Sequence, residues 1–187
     1  MAVRRWILPE LNSEAAARLA EECEINPFLA LMLTTRQITT PEEAMSFLAG
    51  DAFDDPFGFA DMDAAVERLE AAIDAGEAIM VYGDYDVDGI TATALLYTYL
   101  KKRGANVSFR LPTREGDGYG LHTAQIDEFL EQNISLLVTV DNGITAVDET
   151  AYAKANGMDV IITDHHQPQQ TIPAAVAVVD PHRADCP

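Results

Sequence analysis

The chain has 187 residues and a formal net charge of −19, which argues against general adhesion to nucleic-acid backbones because phosphate binding relies mainly on Lys and Arg. Hydrophobic residues make up 48% of it, enough for a buried core, yet no apolar run approaches the roughly 20 residues of a membrane span. The apolar segment at the start is also too short for a signal peptide, so a cytoplasmic protein is expected. Its two cysteines, Cys23 and Cys186, lack partners at zinc spacing and predict neither a disulfide framework nor a zinc site.

Residues 1 to about 60 predict a short helical N-terminal region. The segments EAAARLAEEC and PFLALMLTTR have a helical composition and are separated by an Asn-Pro pair. Thr40 precedes a proline and a glutamate at the spacing of a capping box, which predicts a helix over PEEAMSFLAG. The acids, proline and glycine of DAFDDPFGF predict a linker that leads into a second domain over residues 61–187.

The second domain is predicted to begin with a helix at Met62. Its sequence, MDAAVERLEAAIDA, places Val66, Leu69 and Ile73 on one face and ends at Gly76.

Beyond that glycine, short apolar runs alternate with helix candidates. The runs are AIMVY (78–82), VSFRL (107–111), SLLVTV (135–140), DVIIT (159–163) and AVAVV (175–179), with helix candidates at about 90–103, 123–132 and 146–156. Nearly continuous apolar strands between helices are typical of a parallel sheet covered on both faces. The predicted fold class is therefore α/β, with a doubly wound and largely parallel sheet.

Three of the predicted strands are followed by acidic loops. AIMVY leads into GDYDVDG (83–89), SLLVTV into Asp-Asn-Gly (141–143), and DVIIT into Asp-His-His (164–166). Ligands bind beyond the carboxyl ends of parallel strands, so up to five aspartates and two histidines are expected at one edge. Carboxylates that lie within a few Å of one another either become protonated or require cations nearby. The loops therefore predict a divalent-metal site, with two ions about 3.5 to 4 Å apart as the arrangement that activates water at phosphorus.

Each loop has a plainer interpretation when it is taken alone. Asp-Asn-Gly is usually a turn, and a His-His pair is often just a surface feature. GDYDVDG also resembles the start of a calcium loop, but an EF-hand lies between helices and carries Glu at its twelfth position, where counting from Asp84 gives Leu95. The occurrence of all three loops after buried strands favours a shared site.

The basic residues are unevenly distributed. Five of the twelve fall within fourteen positions that contain no acid: Lys101, Lys102, Arg103, Arg110 and Arg114. The three at 101–103 suit a solvated helix end, where cations complement the helix dipole. The roles of Arg110 and Arg114 stay open at this point.

The three acidic loops, in this order, resemble the DHH phosphoesterases, and within them the bacterial exonucleases specific for single strands. The stretch RLPTREGDGYGL (110–121) and the helical N-terminal pattern extend the resemblance over essentially the whole chain. GDYDVDG is specific for this branch, because relatives that cleave cyclic dinucleotides, very short RNAs or pyrophosphate typically carry a His-x-x-x-Asp-x-Asp form.

The resemblance implies metal-binding roles residue by residue. Asp86 and Asp88 match the Asp-x-Asp ligands of the family, and Asp141 matches the acid that bridges both metals. Tyr82 stands where the other relatives have a ligating His, which leaves Asp84 as its expected substitute.

The DHH motif itself implies one further ligand and two catalytic residues. His165 matches a metal ligand, and His166 matches a residue that contacts the scissile phosphate or assists protonation. Asp164 is expected to orient its neighbours.

The resemblance implies an exonuclease that depends on Mn²⁺ or Mg²⁺ at a two-metal site. It would release mononucleotides from the 5′ end of single-stranded DNA in recombination and repair, with single-strand-binding protein and a repair helicase as implied partners. Arg110, Arg114, Tyr119 and His122 then become candidates for substrate contact through phosphate pairing and base stacking. The plainer alternative for these four is an ordinary loop rich in glycine.

In the family, a further aspartate ligand, a second catalytic lobe called DHHA1 and a nucleic-acid-binding domain lie downstream. The chain is therefore expected to be an N-terminal fragment with weak activity by itself. Asp180 is a conceivable substitute ligand, although Asp-Pro-His-Arg after a strand favours a turn.

Two alternative functions stay open on the sequence alone. One is a phosphodiesterase of the same family for cyclic dinucleotides or nanoRNA, which the helical leader of some 80 residues disfavours. The other is a binding module that keeps the fold without catalysis, which the intact motifs disfavour.

Overall fold

The computed structural model describes residues 9–50, 53–113 and 120–186. Within them the chain forms two compact units, Met1–Asp54 and Asp55–Pro187. Whether residues 1–60 act as a separate domain stays a prediction. None of the described helices combines the length and the apolar character needed to cross a membrane.

The first unit contains three short helices, α1 (Ser13–Glu22), α2 (Pro27–Thr34) and α3 (Pro41–Ala49). Each begins at a polar cap, and the predicted capping box of α3 is confirmed: the Glu43 backbone N–H donates to the Thr40 hydroxyl, and the Glu43 carboxylate accepts from the Thr40 backbone N–H. Leu19, Leu33 and small alanines form a core of their own.

The second unit is an α/β domain with an all-parallel five-stranded sheet. A 3-10 helix (Pro56–Gly58) precedes these elements: α4 (Met62–Ala75), β1 (Ala78–Tyr82), α5 (Val87–Lys102), β2 (Asn106–Arg110), α6 (Thr123–Glu131), β3 (Leu136–Val140), α7 (Val147–Ala155), β4 (Asp159–Thr163) and β5 (Ala177–Val179). The strand order is β2-β1-β3-β4-β5, and every pairing is parallel. The predicted fold class is confirmed.

Both faces of the sheet are covered by apolar layers. On one face, Ile126 and Phe129 of α6 pack with strand residues such as Tyr82 and Leu137. On the other face, Ala72 of α4 and α5 pack against the alternate strand residues. Burial on both faces explains why the strands have continuous apolar runs rather than alternating ones.

The expected apolar face of α4 needs a correction. Val66 is 37% exposed, whereas Ala65 and Ala72 are buried against the sheet, with Leu69 and Ile73 partly buried beside them. Small alanine side chains let the helix lie close to the strands. A search for large apolar residues in the sequence does not detect a buried helix face made of alanines. The last strand also begins at Ala177, two residues later than the predicted run AVAVV.

An ionic network closes the edge of the sheet where the strands begin. Arg68 of α4 donates to Glu77 at 2.6 Å and to Asp159, the first residue of β4, at 2.7 Å. The Ser135 hydroxyl donates to the same Glu77 carboxylate at 3.0 Å. These bonds join α4 to the starts of β1, β3 and β4, opposite the edge that carries the acidic loops.

Candidate metal-binding active site

The acidic loops leave the sheet around its switch point. After β1 the chain crosses to β2 on one side, while β3 pairs with the other side of β1. Ligand sites of open parallel sheets form where neighbouring connections diverge in this way. The loops after β1, β3 and β4 therefore meet at the carboxyl edge.

The glycines that flank the first acidic loop are required for close packing. A Cβ on Gly89, in the first turn of α5, would lie 2.5 Å from the backbone nitrogen and oxygen of Asp84. A Cβ on Gly83 would lie 1.9 Å from the Thr93 hydroxyl of the same helix. The loop thus folds directly onto α5, and this contact holds its carboxylates in place.

Asp84 and Asp86 have different surroundings within that loop. Asp84 is only 3% exposed, and its Oδ1 accepts from the Tyr85 N–H at 2.7 Å. Asp86 is the N-cap of α5, because its Oδ1 accepts from the backbone N–H groups of Asp88 and Gly89 at 3.0 and 3.1 Å. These bonds, led by the one from Gly89, lower the pKa of Asp86.

The loop after β3 presents Asp141 through a left-handed backbone conformation, with φ of 61°. The next residue, Asn142, is 1% exposed and donates from Nδ2 to the carbonyl oxygens of Val140 at 3.1 Å and Tyr82 at 3.4 Å. Asn142 therefore joins the ends of β1 and β3 beneath the site. Because the Asn142 side chain supplies both bonds, the Asp-Asn-Gly turn also holds the two strand ends together.

The Asp-His-His loop is organised by its aspartate. Asp164 is buried, and its Oδ1 accepts from the backbone N–H groups of His165 and His166 and lies 2.7 Å from Nδ1 of His166. Its Oδ2 accepts from the Ile144 N–H at 3.0 Å, which ties the loop to the neighbouring one after β3. Asp164 thus orients its neighbours, and its bond raises the pKa of His166.

The two loops also meet where possible metal ligands lie close together. Nε2 of His165 lies 2.8 Å from Oδ1 of Asp141. Burial raises the pKa of Asp141, and the nearby Asp86 carboxylate acts in the same direction, while the bond to His165 opposes both. Two carboxylates this close are unfavourable together without a positive charge.

Two groups of possible ligands share one residue. Ligand atoms of Asp84, Asp86 and Asp141 lie within 4.8 Å of one another, and so do those of Asp141, His165 and His166. Asp141 belongs to both groups, as a residue that bridges two ions would. The donor chemistry fits divalent metal: carboxylates suit Mg²⁺ and Mn²⁺, imidazoles favour transition metals, and no thiolate belongs to either group.

The remaining predicted site residues are distributed around this cluster. Asp88 is exposed on the rim and belongs to neither group, so its role as a ligand stays a prediction. Asp180 forms the predicted turn, accepting from the His182 N–H at 2.7 Å. Arg110 ends β2 at the same edge of the sheet. Arg114 and Tyr119 lie outside the described residues.

Two concave regions flank Asp164. A cavity of about 550 Å³ is lined by His122, Asp164 and His166 together with Gly120, Leu121, Gly143, Ile144, Thr145, Ala146, Glu149 and Gln167. A groove of about 410 Å³ is lined by Asp88, Ala92, Asp141, Thr163, Asp164 and His165. The predicted substrate residue His122 therefore lies in the cavity beside His166.

Sequence reasoning missed three contributors to this region. The amide of Asn142 and the backbone of Ile144 had no assigned role, although the Asp-Asn-Gly motif could have pointed to Asn142. Tyr82, the residue at the expected histidine position, is fully buried and donates its hydroxyl to the Gly120 carbonyl at 2.9 Å. Only the fold brings this pair together, across 38 residues.

The fold and the cluster define a class: α/β domains that carry a carboxylate and imidazole site, able to hold divalent metal, at the switch point of a parallel sheet. Residues 78–187 match the family model described as DHH family, N-terminal domain. The chain therefore belongs to the DHH family.

Within the DHH family, the chain is similar to one group of exonucleases. The chain is 41% identical over 184 residues to the single-stranded-DNA-specific exonuclease RecJ of Bacillus subtilis, covering 97% of this chain and 23% of that protein. It is 36% identical to RecJ of Escherichia coli, covering 87% of this chain and 28% of the relative. The chain thus spans about a quarter of the length of these curated relatives.

Solved structures agree with this assignment. A crystal structure of exonuclease RecJ bound to manganese superposes with a TM-score of 0.64 at 39% identity, over 68% of this chain and 32% of that one. RecJ of Thermus thermophilus in complex with Mn²⁺ gives a TM-score of 0.66 at 30% identity, over 96% of this chain and 25% of that one. The predicted resemblance is confirmed.

Proposed function

We propose that the chain is part of a metal-dependent exonuclease that hydrolyses single-stranded DNA from its 5′ end to mononucleotides, in recombination and repair. The observation that carries this proposal is the position of Asp141 in both ligand groups at the carboxyl edge of the sheet. The names of the relatives supply the substrate, because several are exonucleases specific for single-stranded DNA. Two of the solved relatives contain manganese by description.

The proposed metal ligands are Asp84, Asp86, Asp141 and His165, with Asp88 as a further candidate on the rim. Mn²⁺ or Mg²⁺ held there would supply Lewis-acid chemistry, activating water and neutralising charge at phosphorus. The protein's contribution is to fix the ligands before substrate arrives. The cap bonds of Asp86 and the bonds from Asn142 to the strand ends do this, since supporting hydrogen bonds orient ligating carboxylates.

Asp164 and His166 form the proposed catalytic pair. Asp164 holds Nδ1 of His166 at 2.7 Å and so fixes the orientation of the ring, and the proposed role of this imidazole is to contact the scissile phosphate or to pass a proton to the departing oxygen. Both oxygens of Asp164 already bind neighbouring groups, so this carboxylate positions the imidazole rather than acting as a ligand.

The proposed substrate contacts lie around the cluster of ligands. Arg110 lies at the carboxyl end of β2 and His122 on the cavity wall, where a cation and an aromatic ring suit phosphate and base. Arg114 and Tyr119 complete the proposed set. A cytoplasmic location, single-strand-binding protein and a repair helicase as partners belong to the same proposal.

Hydrolysis assays on the natural protein that contains this chain test the proposal. With Mn²⁺, we expect mononucleotides from a single-stranded oligonucleotide, none from a cyclic dinucleotide, and loss of activity by at least about a hundredfold in Asp86→Ala and His166→Ala. Asp148→Asn, on the surface of α7, should retain full activity. Cleavage of the cyclic dinucleotide in preference to the strand would favour the alternative phosphodiesterase function.

A further inference from the structure

The cavity and the groove lie on either side of Asp164, which lines both. An exonuclease that removes single nucleotides must hold the terminal nucleoside on one side of the scissile phosphate and the rest of the strand on the other. The cavity, at about 550 Å³, has the size of a small-ligand pocket and adjoins His166. The groove adjoins the metal cluster instead.

The walls of the cavity suit a nucleobase. Leu121, Ile144 and Ala146 line it with apolar atoms, although each residue is less than 7% exposed, and the aromatic residue His122 lines it as well. Base recognition commonly combines such a stacking surface with a few polar groups at the base edge.

Glu149 is the polar group that can select among bases. It lines the cavity from the first turn of α7, and its carboxylate makes no hydrogen bond or ion pair with any residue that the structure describes. Asp164, the other acid of the wall, is occupied by His165, His166 and Ile144. A free carboxylate accepts hydrogen bonds and repels phosphate, and it also offsets the positive end of its own helix.

Resting on the proposed function, we propose that this cavity holds the terminal nucleoside, and that Glu149 selects bases with an exocyclic amino group by accepting its hydrogen bond. Cytosine presents such an amino group at its edge, a known partner of Glu side chains. Thymine has an oxygen at that place, and its single ring N–H lies between two carbonyl oxygens that repel a carboxylate. The cavity therefore favours cytosine over thymine.

Nucleoside titration of the ¹⁵N-labelled 187-residue chain tests this inference without catalysis. Deoxycytidine should shift the backbone amides of Ile144, Thr145 and Ala146, and bind about tenfold more tightly than thymidine, since one charged hydrogen bond is worth about that factor. 5-Methyldeoxycytidine, which carries thymine's methyl group, should bind like deoxycytidine.

Two variants with the same change of charge separate the role of Glu149 from a general electrostatic effect. Glu149→Gln should abolish the preference, because a Gln amide can donate to the thymine oxygen as readily as it accepts from cytosine. Asp148→Asn removes a neighbouring exposed charge on the same helix turn and should retain the tenfold preference.

Equal binding of the two nucleosides, an undiminished preference in Glu149→Gln, or shifts confined to amides away from the cavity would overturn the inference. Manganese-induced melting shifts, measured on separate samples of the same proteins, report on the metal site. A normal manganese shift without nucleoside preference would refute this inference alone. Absence of the manganese shift would count against the proposed function itself.

Discussion

At the scale of single residues, the loop after β1 owes its shape to Gly89 as much as to its acids. Any side chain there meets the backbone of Asp84 at 2.5 Å, and backbone atoms cannot give way as flexible side chains do. Gly89→Ala should therefore destabilise the chain by about 1 to 3 kcal/mol and weaken its stabilisation by manganese. Thermal melts with and without Mn²⁺ measure both effects.

Gly58→Ala is the matched control, because a Cβ at that position would meet nothing within 4 Å. It should melt like the unchanged chain and respond fully to manganese. If Gly89→Ala behaved in the same way, the loop would not depend on this close contact.

Tyr82 is the second residue whose role only the structure shows. Tyr82→Phe removes the hydroxyl that binds the Gly120 carbonyl and leaves that acceptor without its partner, at a cost of about 1 to 3 kcal/mol. Tyr152→Phe removes a hydroxyl that binds Asp127 on the surface and should cost less than about 0.5 kcal/mol. Urea unfolding compares the two variants. Equal losses of stability would contradict a structural role for the hydrogen bond from the Tyr82 hydroxyl.

At the scale of elements, the end of the sheet where the strands begin and the end where they finish carry different groups of charged residues. The edge where strands begin is closed by Arg68, Glu77 and Asp159, and the opposite edge carries the cluster. Arg68→Ala should lower stability by about 2 kcal/mol, or about 4 to 8 °C in melting temperature, because it removes the cation shared by two carboxylates and leaves Glu77 with only its bond from Ser135. The manganese-induced shift should be unchanged, and a loss of that shift would show that the edges are coupled.

The same network predicts a dependence on pH. The hydrogen bond from Arg68 lowers the pKa of Glu77 below its ordinary value of 4.5. A carboxyl group whose pKa is lowered on folding contributes stability above its unfolded pKa, and that contribution is lost as the pH falls through the folded pKa. Urea unfolding from about pH 7 to about pH 3 should therefore show a steeper acid loss in the unchanged chain than in Arg68→Ala, and parallel profiles would contradict the assignment.

Element boundaries followed from sequence where local signals were strong. The apolar runs of β1 and β4 and the span of α4 agree with the structure residue by residue, since glycine or polar residues mark their ends. The face of α4 did not follow, because burial of Ala65 and Ala72 depends on how closely the helix approaches the sheet. The helical periodicity of the sequence assigns Val66 to the buried face just as readily.

At the scale of the whole molecule, parallel topology is what converts three separate loops into one site. The meeting of Asp86, Asp141 and His165 could be predicted, because consecutive parallel strands end at the same edge. The rim position of Asp88 could not, since it depends on the first turn of α5. Nor could the cavity wall formed by Glu149, because nothing in the α7 sequence distinguishes it from an exposed surface acid.

The most direct test of the proposed metal site is the manganese-induced shift in melting temperature of the unchanged chain and of Asp141→Asn. A cation at about one hundred times its dissociation constant stabilises a protein by about 2.7 kcal/mol, which is about 5 to 11 °C for a domain of this size. Because Asp141 belongs to both ligand groups, its substitution should remove most of that shift, while Asp148→Asn should retain it. Equal shifts in the unchanged chain and Asp141→Asn would contradict the central claim that Asp141 joins the two groups into one metal site.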